Sequence, residues 1–248
     1  MLTWIEQDEK MLSLLKDKEV ALVGPAPYLI GQQRGKEFDS CDLIARPNEI
    51  IPLPKLRPDY GNRTDIFFCN FGTSWMPGIK RKIQLNDNSD HFKQIKMVVG
   101  SAVKAKHSDN NFLSWPNDYV SDIPSNFQDI NEYELPFYWL GVKNYKSIYE
   151  KIGVEFNTGI AAITILLNYP IKKLKVSGFT FYLNGSSYEE IYCEGHMDSI
   201  DTEGKSYGIS HGHGLSVNLR QIEYFRILYQ SCGDMIEIDD HMKNILSL

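Results

Sequence analysis

The sequence predicts an α/β fold: a Rossmann-like, doubly wound, mainly parallel sheet carrying a small lid-like insertion. Three observations predict it. Short apolar runs at 19–23, 42–45, 65–69, 95–99 and 174–176 lack the alternation of a half-exposed strand, as strands covered on both faces do. Segments of helical periodicity lie between several of them. The first run also passes straight into Gly24-Pro25-Ala26-Pro27, a cluster of chain breakers located where open α/β sheets take their ligands.

The elements follow in order. Residues 5–16 place Ile5, Met11, Leu12, Leu14 and Leu15 among charges, which predicts a short amphipathic helix used for packing. Helices are expected at 142–151, 158–167 and 216–230, the last stopped by Cys232-Gly233 and followed by a closing strand at 235–238. Two stretches depart from the pattern: 104–136, rich in Asn, Asp, Ser and Pro, and 183–210, rich in Gly, Ser and Glu. Polar connections of that length serve as lids or binding loops, and 183–210 is read as a lid. With 248 residues the chain accommodates all of this as one domain, 1–248.

Composition removes several classes of function. An apolar share of 42% describes a folded protein, and a net charge of -6 without any extended basic run does not suit nucleic acid. Lys80, Arg81 and Lys82 form one short basic group, a solvated patch or a place for an anionic acceptor or lipid headgroup. Cys41, Cys69, Cys193 and Cys232 are widely spaced and read as reduced thiols. Glu6, Asp8 and Glu9 close behind Trp4 and Ile5 do not resemble a signal peptide, and no apolar stretch reaches the roughly 20 residues of a spanning helix. A cytoplasmic protein with at most peripheral membrane contact is expected.

Chemistry is concentrated in the second half. Asn157-Thr158-Gly159 precedes the apolar run 160–167, so its backbone N–H groups meet the positive end of a helix dipole, where an anion or a ribose hydroxyl is well placed. An ordinary N-cap by Asn157 or Thr158 explains the same residues. From Ser177 a strand end runs through Gly178 and Phe179 into a turn bounded by Tyr182 and Tyr188, two phenols able to donate hydrogen bonds to a phosphate. Cys193, His196, Asp198, His211 and His213 follow no zinc spacing, so no metal is expected. Gly24-Pro25-Ala26-Pro27 is not Gly-x-Gly-x-x-Gly, which argues against a dinucleotide oxidoreductase.

Residues 177–188 resemble the segment of bacterial lipooligosaccharide sialyltransferases that carries two phosphate-binding tyrosines. Val23-Gly24, residues 35–39, Asp42, Arg46-Pro47-Asn48 and residues 59–64 resemble the large sialylmotif of eukaryotic sialyltransferases. Thr158-Gly159 through Gly178-Phe179 is similar to the small sialylmotif. The likeness is spread over most of the chain and thin from about 75 to 145. It implies a GT-A-like variant of the fold and a donor site that takes in Gly24, Asn48, Asn70, Thr158, Gly159, Gly178 and Phe179, to which Asn157 is added from its place at the helix start. Tyr182 and Tyr188 would hold the leaving phosphate. His213, five positions before Asn218, matches the histidine that supplies the catalytic base, although relatives often carry an acid where Asn218 stands. Pro25 occupies the place of a donor-contacting asparagine, and Glu155 that of a bacterial arginine.

The resemblance implies an inverting, metal-independent glycosyltransferase that moves sialic acid or a related acidic sugar from a CMP donor to a hydroxyl of a glycan or glycolipid, with no cofactor beyond the donor itself. The sequence also lacks any Asp-x-Asp pair of the kind that holds a divalent cation on a diphosphate donor. A CMP-Kdo-type transferase and a non-catalytic nucleotide- or glycan-binding protein on the same fold are the alternatives.

Overall fold

The computed structural model describes residues 2–47, 54–69, 93–101, 127–128, 131, 134–181, 183 and 215–248. Seven parallel strands form one sheet: β1 (Glu19–Val23), β2 (Leu43–Pro47), β3 (Ile66–Cys69), β4 (Met97–Gly100), β5 (Phe137–Trp139), β6 (Lys173–Ser177) and β7 (Ile236–Ile238). Their order is β5-β4-β3-β2-β1-β6-β7. The chain therefore builds outward from β1 to β5, then returns to the other side of β1 for β6 and β7. This is the doubly wound, Rossmann-like arrangement that the unbroken apolar runs predicted.

Covering both faces is what makes those runs unbroken. Val20 and Leu22 of β1 and Leu43 and Ala45 of β2 enter the larger core, while Ala21, Val23 and Ile44 enter a second core on the opposite face. Successive side chains of a strand point to opposite faces, so a strand buried twice needs apolar residues at every position. The second core is closed by the short helices α2 (Gly35–Asp39) and α3 (Arg57–Tyr60) through Phe38 and Tyr60. The larger core is closed by α1 (Glu9–Leu15), α4 (Gly141–Ile152), α5 (Thr158–Leu167), α6 (Leu215–Cys232) and α7 (Asp240–Leu246). Every residue of α5 is buried, as a helix apolar on all sides must be.

Four expectations are corrected. Helix α1 begins at Glu9 and not at residue 5, because Asp8 caps it by accepting from Met11 N–H at 2.9 Å. The residues before it are held instead by Asn168, whose Oδ1 accepts from Trp4 N–H at 2.7 Å. Strand β4 starts at Met97, two residues later than expected, and ends at Gly100. Strand β5 lies at the edge of the polar stretch read as 104–136 and was not expected; three aromatic residues are too few to show a period, and their pairing with β4 defines them. Helices α2, α3 and α7 were likewise not anticipated, being 5, 4 and 7 residues long. By contrast β1 and α5 have the expected bounds. The expected lid, 183–210, lies outside the described residues apart from Leu183. Among the described residues no helix is long and apolar enough to cross a membrane.

Candidate functional site

Strand order reverses between β1 and β6, and the loops leaving these two neighbours therefore travel in opposite directions. The carboxyl ends of strands at such a reversal are the usual ligand position in open α/β sheets. Val23 is paired with Ser177, so both strands end at the same level and Gly24 faces Gly178. The backbones touch. A Cβ on Gly24 would fall on the carbonyl oxygen of Gly178, 2.9 Å from its carbonyl carbon, and a Cβ on Gly178 would lie 2.8 Å from the carbonyl carbon of Gly24. Gly24 N–H donates to Ser177 O at 2.8 Å and Ala26 N–H to Gly178 O at 3.1 Å.

The ring of Phe179 fills the space between the first loop and the start of α5. A Cβ on Gly159 would sit 2.6 Å from its Cε1, and one on Gly24 would sit 3.1 Å from its Cε2. Asn157 caps α5 by accepting from Ile160 N–H at 2.9 Å, and its own N–H donates to Oε1 of the fully buried Gln221 at 3.0 Å. Asn157 is thus an N-cap in fact, which leaves the first N–H groups of α5, those of Thr158 and Gly159, without intrahelical acceptors as at any helix start. Gly24, Asn157, Thr158, Gly159, Gly178 and Phe179, drawn from three distant parts of the chain, are brought to one place. Asn48, Asn70, Tyr182, Tyr188 and His213 lie outside the described residues, as does the grouping of Cys193, His196, Asp198 and His211.

Other residues of the resembling segments build the walls. Buried Arg46 donates from Nη2 to Tyr60 O at 2.6 Å and from Nε to Thr64 Oγ1 at 3.1 Å, tying 60–64 to the end of β2 just before Asn48. Tyr60 OH donates to Ala26 O at 2.8 Å and holds the first loop. Asp39 accepts from Asn62 N–H at 2.9 Å, and Asp59 accepts from Gln33 N–H at 2.8 Å. Pro25 is buried in that first loop, while Glu155 is exposed in the turn before α5 and Asn218 is buried on the first turns of α6.

Sequence reasoning missed Tyr28, Arg34, Asp239 and Gln221. Tyr28 OH accepts from Gly178 N–H at 2.7 Å and donates to Asp239 Oδ2 at 2.7 Å. Burial, reinforced by the Asp239 carboxylate, pushes the Tyr28 phenol well above the ordinary tyrosine range, so it stays protonated and able to donate. Arg34 donates to Ser177 Oγ at 3.0 Å and is gripped by both oxygens of Glu37 at 2.9 Å. Only Gln221 carried a signal, a polar residue within the apolar face of a helix.

The protein is of the doubly wound α/β class, with Gly24, Gly178 and Gly159 closely packed against one another and against Phe179 at its switch point. No protein-family model matches the chain, and no curated protein does. Among solved structures, a mammalian sialyltransferase is similar over 90% of this chain and 69% of its own, with a TM-score of 0.48 and 15% identity. A mammalian sialyltransferase in complex with Gal-β1-3GalNAc-ortho-nitrophenol is similar over 93% of this chain and 71% of its own, with a TM-score of 0.47 and 16% identity.

Proposed function

We propose that this chain, acting as a single domain, is an inverting, metal-independent glycosyltransferase that takes sialic acid or a related acidic sugar from a CMP donor. The observation that supports this reading most is the meeting of Gly24, Asn157, Thr158, Gly159, Gly178 and Phe179 around one aromatic ring at the switch point. The sequence resemblance includes Gly24, Thr158, Gly159, Gly178 and Phe179, and Asn157 joins them from its place at the start of the helix, although these residues come from segments far apart in the chain.

In this reading His213 accepts the proton of an acceptor hydroxyl as its oxygen attacks the anomeric carbon. The bond from that carbon to the phosphate oxygen breaks on the opposite face, and its electron pair leaves with CMP. Tyr182 and Tyr188 donate hydrogen bonds to the phosphate as charge grows there, and Asn48, Asn70, Thr158 and Gly159 orient the donor. CMP departs as a monophosphate, with less charge to neutralise than a diphosphate, so tyrosine hydroxyls suffice where other transferases use a cation.

Two measurements test the proposal. In a thermal-shift panel CMP should raise the melting temperature more than UDP, GDP or NAD, by the equivalent of about 2.7 kcal/mol at a concentration 100 times its Kd. A larger shift with NAD or UDP overturns the donor assignment. Transfer should also survive EDTA; loss of activity restored by one divalent ion would mean that a cation, and not the tyrosine pair, stabilises the leaving group. A protein that binds CMP but neither transfers nor hydrolyses the donor would instead be a binding module on this fold.

A further inference from the structure

The turn that leaves β6 runs through two left-handed residues, a glycine that accepts this backbone and a phenylalanine that does not favour it. Gly178 sits at φ 84° and Phe181 at φ 50°, and a phenylalanine in the left-handed region is held there by its surroundings. The ring of Phe181 is buried against Phe225, with centroids 5.8 Å apart. At the other end of the turn the N–H of Gly178 is taken by the phenol oxygen of Tyr28. That phenol is bonded in turn to Asp239 Oδ2, while Asp239 Oδ1 caps α7 by accepting from Met242 N–H at 2.9 Å. Arg34 stands 3.7 Å from the same Oδ2 and reaches the turn separately through Ser177 Oγ. His241, two residues past Asp239, stacks on the Tyr28 ring with centroids 4.0 Å apart and fixes its orientation.

A half-buried network of phenol, carboxylate and guanidinium is a poor way to gain stability, because desolvation consumes much of the attraction. It does supply direction. Each hydrogen bond has one good geometry, and together they fix a turn that glycine's conformational freedom would otherwise leave loose at Gly178.

We propose that Tyr28 and Asp239 are positioning residues: they strut the Gly178–Phe179 turn against the cap of α7 and thereby set how tightly the switch point holds a nucleoside monophosphate. The nucleotide class rests on the CMP reading above, whereas the strut itself does not. In this proposal both act through Gly178.

The test uses the full chain and three variants: Tyr28→Phe, which removes the phenol oxygen, Asp239→Ser, which keeps an N-cap for α7 but cannot reach the phenol, and the double variant. Tyr28→Phe, which loses the bonds to both Gly178 and Asp239, should weaken CMP binding in calorimetry by about 3–10-fold. Asp239→Ser should weaken it similarly, and the double variant no further than Tyr28→Phe, because both act on one link. Amide exchange at Gly178 should quicken in all three. Unchanged CMP affinity in Tyr28→Phe, or additive losses in the double variant, would overturn the proposal; so would a lowered melting temperature with Gly178 exchange unaltered. If Tyr28→Phe fails to fold, Asp239→Ser decides the matter by the same two readouts. If the parent protein binds no CMP, the donor reading falls by itself, and Gly178 exchange in Tyr28→Phe still supports or overturns the strut.

Discussion

Under the proposed mechanism, replacing His213 by alanine is expected to lower the rate of sugar transfer by about 10²–10⁴-fold while leaving CMP affinity nearly unchanged. General-base help acts only as the acceptor hydroxyl loses its proton, so its removal appears in kcat and not in the binding of the nucleotide. Imidazole suits the task because its ordinary pKa of about 6.5 leaves much of it neutral, and able to accept a proton, near pH 7. His211, one glycine away, is the control, and His211→Ala should do far less. Both variants should be compared for folding by circular dichroism and for turnover under saturating donor. A parental rate in His213→Ala, or a large loss confined to His211→Ala, would assign the base elsewhere.

Gly178→Ala is expected to destabilise the fold by about 2–5 kcal/mol, the largest of the expected effects on stability. Two costs combine. A left-handed backbone costs a residue with a Cβ about 1–2 kcal/mol, and that Cβ would also collide with the backbone of Gly24, which cannot rotate away as a side chain end would. Gly31 separates the two, because it has a φ of 83° but nothing within 4 Å of the place a Cβ would take. Gly31→Ala should therefore lose only the backbone term. Urea unfolding of both variants measures the difference. Equal losses would show that β1 and β6 can part at their ends without penalty, and the close Gly24–Gly178 contact would then not explain why neither position carries a side chain.

The same contact explains why the resembling segments contain glycine where they do. Gly24 and Gly178 make room for each other and Gly159 makes room for Phe179, so these positions are demanded by packing at the switch point before any ligand is considered. Arg46, Asp59, Tyr60 and Asn62 are similar: each is engaged with neighbouring groups that shape the loops after β1 and β2.

Local chemistry determined a good part of this protein. The five residues of β1 ended by Gly24, and the ten apolar or small residues of α5 introduced by Asn157, carry their boundaries in the sequence itself, because strand burial, helix capping and chain breaking act over a few residues. The α/β class followed from the alternation of such elements. Only the tertiary structure decided the order of the strands, the switch point between β1 and β6, and the existence of β5, since a three-residue strand is defined by the partner beside it. It also decided that α1 would start late, because Asn168 competes for the backbone of the preceding residues. The convergence of Tyr28, Arg34, Ser177, Gly178 and Asp239 left no local trace at all. Hydrogen bonds between residues more than 140 positions apart depend on where the sheet places its strand ends, and no period or spacing along the chain encodes that.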